Sequence, residues 1–191
     1  MRHNYLRTTI VVALVAMVAL PVLAKDKKKI ERYTAFAVAM GSAATGANAR
    51  VTIGIEDWTT PEDRVRLLDT LINEGPAKLK TALFKQDQVG FVKVGNSLGY
   101  PLRYAWQVED GGKRHIVLGT ERAVSMVEVF GATRSQDYDI ALIVMTINED
   151  GTGEGSFAPA VELSVDKEKN ELSVKTYSSE PVRLNNLKME K

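Results

Sequence analysis

From Val89 to the C-terminal region, apolar and polar positions alternate in short runs separated by turn residues. That period of two belongs to half-buried β-strands. It predicts strands over Phe91–Val94, Leu102–Glu109, Lys113–Thr120, Ala123–Phe130, Tyr138–Asn148, Glu154–Val165, Leu172–Tyr177 and Val182–Leu187. Asp110-Gly111-Gly112 and Asp150-Gly151 between runs are hairpin signals, because glycine tolerates the positive φ such turns require. Two further strands precede: Tyr33–Met40, and Arg50–Trp58, where Val51, Ile53 and Ile55 share one face.

Between these halves the period changes. Thr60 is placed to cap a helix with Pro61 at its first position and Asp63 at its third. Val65, Leu68, Leu71 and Ile72 then recur at three- and four-residue spacing as one apolar stripe. Gly75 stops that helix and Pro76 starts a second, which carries Leu79, Ala82 and Leu83 to about Lys85. No crossover-length helix separates any later pair of strands, so those strands are expected to pair antiparallel. The fold class predicted is mainly β (α+β): an antiparallel meander forming a β barrel or sandwich, with a two-helix insertion between the second and third strands, lidding one end or edge of the sheet.

The first 24 residues follow different rules. Arg2 and Arg7 flank a short basic start, Ile10–Leu20 is an uncharged apolar run of 11 residues, and Val22-Leu23-Ala24 ends in small residues at the two critical positions. This is the layout of an export signal, with cleavage expected between Ala24 and Lys25. The apolar stretch from Ile10 to Ala24 is 15 residues, short of the roughly 20 a spanning helix needs. The division expected is 1–24 signal peptide, 25–32 basic flexible tail (Lys25, Lys27, Lys28 and Lys29), and 33–191 one β-rich domain with its helical insertion at 61–86. The destination is periplasmic or secreted, without stable membrane insertion after cleavage.

Composition then removes function classes. The chain of 191 residues has no cysteine and two histidines, one of them within the signal. Thiolate nucleophiles, cysteine metal sites and two-histidine metal sites are therefore out of reach. Formal charge is +1, and −1 once Arg2 and Arg7 are gone, too balanced for general nucleic-acid binding. Nothing in the pattern calls for a cofactor.

The motifs that remain have stronger structural readings. Asn148, Asp150, Thr152 and Gly153 match the opening of a calcium loop, but Pro159 stands where the bidentate Glu belongs, so a hairpin turn is expected. Gly151, Gly153 and Gly155 fail the dinucleotide fingerprint, and Gly41 with Gly46 lacks the lysine of a phosphate loop. His115 would have to serve any serine nucleophile (Ser42, Ser97, Ser125 or Ser156), and none of these serines sits in G-x-S-x-G. Glu56-Asp57 and Glu109-Asp110 are adjacent and so point to opposite faces of a strand, whereas Asp137 and Asp139 share a face. No catalytic or metal-ligating residue is assigned.

The aromatic cluster Tyr100, Tyr104 and Trp106, with Arg103 beside it, carries the candidate binding site. On an inward barrel face, Tyr104 and Trp106 would stack on a small apolar or amphipathic ligand, with Arg103 meeting an anionic group at the rim. Otherwise they are core, since such rings dominate core burial.

The segments Tyr33–Ser42, Asn96–Tyr100 and Arg134–Tyr138, with the three glycines at 151, 153 and 155 and Pro181–Leu184, resemble a family of uncharacterised exported bacterial proteins. The resemblance implies an exported single domain and transfers no activity, ligand or site residue. Three functions follow: a non-catalytic module for a small apolar or amphipathic ligand, a structural or partner-binding envelope protein with a filled core, and a carboxylate-dependent hydrolase. A cavity beside Trp106, a packed interior with an exposed apolar patch, or two converging carboxylates would separate them.

Overall fold

The computed structural model describes residues 30–39, 48–124, 140–166, 171–176 and 182–190. The expected signal, most of the basic tail, the Gly41–Gly46 loop, Asp137, Asp139 and all but the start of the Ala123–Phe130 strand lie outside them. The strands are β1 (Glu31–Val38), β2 (Asn48–Ile55), β3 (Gly90–Val94), β4 (Tyr100–Asp110), β5 (Lys113–Thr120), β6 (Ile140–Ile147), β7 (Thr152–Asp166), β8 (Glu171–Thr176) and β9 (Val182–Glu190). The helices α1 (Pro61–Glu74) and α2 (Pro76–Phe84) lie between β2 and β3.

Every pairing is antiparallel. The ladder runs β6-β5-β4-β3-β2-β1-β9-β7, and β7 pairs back onto β6, which closes an eight-stranded barrel. β8 stands outside the ring, paired to the second half of β7. Closure leaves the eight strands of the ring without the free edges an open sheet would have, at least along β1 to β6 and β9. β1 starts two residues earlier than the Tyr33 the pattern implies, because Glu31 is held in register opposite Ile55 and ion-paired to Arg114.

An eight-stranded barrel is just wide enough for its side chains to fill. Here they do: Tyr33, Ile53, Leu102, Ile116, Met145 and Phe157 are among the residues sealed inside. Small residues balance the large ones, with Ala35, Ala37, Ala105 and Ala141 buried in the same cluster. Gly153 is where the sequence must be glycine. A Cβ there would come within 2.2 Å of the Thr146 carbonyl oxygen on β6, so no side chain fits where β7 is squeezed between β6 and β9. The G-x-G-x-G run thus serves barrel closure.

The helices do not lid an end. They lie against the outer wall, burying Leu67, Leu71, Leu79 and Leu83 on Ile140, Ala158, Val161 and Leu163 of β6 and β7. The expected α1 stripe is divided: Leu71 is buried with Leu67, while Val65, Leu68 and Ile72 face solvent. The reason is the docking angle. Leu67 and Leu71 sit one turn apart beside Leu79 and Leu83 of α2, and this four-leucine seam fixes which side of α1 turns inward.

Capping follows the sequence. The Asp63 amide donates to Thr60 Oγ1 at 3.1 Å, and the Thr60 hydroxyl donates to Asp63 Oδ2 at 2.9 Å. Thr60→Ala is expected to cost about 1 kcal/mol, the usual value of an N-cap, read as a lowered urea midpoint with unchanged slope.

Candidate functional site

The four residues of the expected binding cluster do not converge on one site. Tyr100 is inside the barrel, with Arg122 stacked over its ring at 4.7 Å. Arg103 pairs with Glu121 and donates to the Gln86 carbonyl oxygen at 2.9 Å, tying the end of α2 to β4. Tyr104 and Trp106 share a face as expected, but it is the outer one. Strand β4 slips register by one residue between Leu102 and Tyr104, so Ala105 takes the inward position that alternation from Leu102 would give Tyr104. Tyr104 then packs among the residues beneath the helices, beside Gly119 of β5. Arg64 of α1 stacks over Trp106 at 4.9 Å beside Tyr104, so these aromatics seat the helix. Burial raises the Tyr104 hydroxyl above its ordinary pKa, against the opposing pull of Arg64.

At one end of the barrel the β4–β5 and β6–β7 hairpin tips bound an open cleft of about 360 Å³. Glu109, Asp110, Lys113 and Glu149 line it, with Ile147 and Met189 as its apolar part. Arg114, at its base, enters a network that sequence reading missed. Its guanidinium donates to Gln107 Oε1 from two nitrogens, to the Tyr33 hydroxyl at 3.4 Å and to Glu31 Oε2 at 3.0 Å. It also lies 5.9 Å from the Trp58 ring centre, and Trp58 packs against the barrel core. Tyr33 donates in turn to Glu31 Oε2 at 2.8 Å. Burial first, then its bond to Glu31, pushes the Tyr33 hydroxyl well above its usual range, while Arg114 opposes the shift. Arg114 spends its donors on the protein itself and acts as a polar plug for the barrel. No local motif signals this, because Glu31 and Arg114 meet only once the ring closes.

The remaining candidates resolve as structure. The Asn148–Thr152 segment is a hairpin turn: Asp150 accepts from the Thr152 amide at 2.8 Å and hydroxyl at 2.6 Å, which hold its carboxyl below the usual range. Among the described residues no group of three His, Asp or Glu side chains is arranged to hold a metal ion. His115 is on the outer face, its Nδ1 3.2 Å from Thr146 Oγ1. Ser97 accepts the Val94 amide in a tight turn, and Ser156 is exposed on β7. Glu109 and Asp110 reach the hairpin tip, while Glu56 and Asp57 share the Val89 carbonyl through their amides. No described helix is long and apolar enough to cross a membrane.

What the packing leaves outside is the second feature of interest. Val65, Leu68 and Ile72 of α1 and Phe84 of α2 are solvent-facing large apolar residues on one helical pair. No family model matches this chain, and neither a curated protein nor a solved structure matches it.

Proposed function

We propose that the mature domain is an exported, non-catalytic binding module whose barrel is a packed scaffold and whose working surface is the outer face of the α1–α2 pair. The observation that carries this reading is the pairing of a filled interior with an apolar stripe left outside. Tyr33, Tyr100 and Phe157 occupy the space an internal ligand would need. Tyr104 and Trp106 are committed to seating α1. Scattered exposed apolar residues are ordinary on a protein surface, but a row of them on one element marks an interaction site. The export signal read at the N-terminus supports action in the cell envelope or outside it.

Native mass spectrometry of the processed protein, purified from its own host, tests the scaffold reading. The expected masses are those of the bare polypeptide or its multiples. A retained small molecule of a few hundred daltons, displaced when Phe157 is replaced by Trp, would overturn it in favour of an internal ligand.

A further inference from the structure

We infer that the partner of the helical face is a second copy of this chain, joined by a two-fold contact in which α1 of each protomer lies on α2 of the other. The inference rests on the reading of the helical pair as the working surface and names its partner. It comes from two stripes and their charges.

On α1, Val65, Leu68 and Ile72 recur at i, i+3 and i+7, so they form one row along two turns. Their exposures are 62%, 38% and 41%. Glu62 and Asp69 fall beside that row on the helical wheel, both exposed. The two arginines of α1 offset them only in part, although Arg66 stands within one turn of both. Arg66 is paired to Asp63 at 2.6 Å and Arg64 is turned inward over Trp106.

On α2, Ala77, Thr81 and Phe84 recur at i, i+4 and i+7 on the side away from Leu79 and Leu83. Phe84 is 65% exposed. Lys78 and Lys85 flank this second row, and α2 contains no acidic residue. One helix thus offers an apolar row edged with carboxylates, and the other a row of small residues ending in the exposed Phe84 and edged with ammonium groups.

The two helices run antiparallel, since Arg66 near the start of α1 reaches Gln86 just past the end of α2 at 3.4 Å. A two-fold axis over such a pair brings each acidic row onto a basic row twice over, which is the self-complementarity an isologous dimer requires. A generic acidic or basic partner would match one row and be repelled by the other. The footprint is small: α1 is about 21 Å long at 1.5 Å per residue. That places the contact at the low end of specific interfaces, and hence a concentration-dependent dimer in the micromolar range.

Sedimentation velocity on the processed protein, from about 1 to 200 µM at low salt, tests this. The expected result is a monomer–dimer equilibrium that shifts toward monomer as salt shortens the reach of the paired charges. Leu68→Glu and Phe84→Glu should each weaken it at least tenfold while leaving the circular dichroism spectrum intact.

The decisive arm uses charge reversal. Glu62→Lys with Asp69→Lys makes both rows basic, and Lys78→Glu with Lys85→Glu makes both acidic. Neither double variant should self-associate, whereas their equimolar mixture should form a heterodimer. A wild-type monomer throughout the range, a dimer indifferent to these substitutions, or a mixture that stays monomeric would overturn the inference. So would wild-type monomer that floats with anionic vesicles, which would assign the face to a lipid surface. A monomer with an empty interior would sink the self-pairing alone, whereas a retained small molecule would sink the scaffold reading beneath it.

Discussion

Phe157→Ala is expected to destabilise the domain by about 3–5 kcal/mol, the largest single-residue effect we anticipate. Phe157 is 1% exposed, opposite Ile143 of β6 and Val182 of β9, at the place where β7 closes the ring. Removing its ring leaves a cavity that the surrounding strands cannot collapse, because each is hydrogen-bonded to a neighbour on both sides. Chemical denaturation should show a lower midpoint with little change in slope. A loss below about 1 kcal/mol would mean that the interior is loosely filled, and the scaffold reading would lose its basis.

The second prediction concerns the polar plug. Arg114→Ala is expected to cost about 1–3 kcal/mol, because Gln107 loses its donors and Glu31 its cation. The pair is about one-quarter exposed on each side, so solvent screens the loss and the lower half of that range is expected. Trp58 emission, recorded with Trp106 replaced by Phe, should shift when the guanidinium above the ring is removed.

The same network sets a pH dependence. The Tyr33 hydroxyl has a raised pKa in the folded state, chiefly from burial and then from its bond to Glu31. Its ordinary value is 10.0, so the unfolded chain loses this proton first as pH rises. The unfolded state then binds fewer protons than the native one, and stability falls. The contribution is therefore fully present below about pH 10 and is lost progressively above it. Tyr33→Phe should flatten this alkaline decline relative to wild type, in thermal melts run from pH 8 to 11. An unchanged decline would remove Tyr33 as its source.

Strand positions, turns and the helix start were legible in the sequence because they are set within a few residues. Alternation places Val51, Ile53 and Ile55 inside, Thr60 caps α1, and Asp110-Gly111-Gly112 turns β4 into β5. What was not legible depends on events between elements. One slipped position in β4 reverses the facing of Tyr104 and Trp106, and periodicity read along a single strand cannot reveal a slip against its neighbour. The α1 stripe contained more apolar residues than one contact could cover, and the position of α2 decided the division. Glu31 and Arg114 come together through closure alone, so neither residue carries a local sign of the other.

That closure has a kinetic consequence. β9, the last of the nine strands among the described residues, is the one inserted between β1 and β7. An emerging chain can zip β1 through β5 in order, yet the circle stays open until its final strand arrives. Before then β1 presents a bare ribbon edge, ready to recruit any extended segment nearby. A chain in which β9 has yet to dock is thus the form most open to misassembly, with the last seam still unsewn.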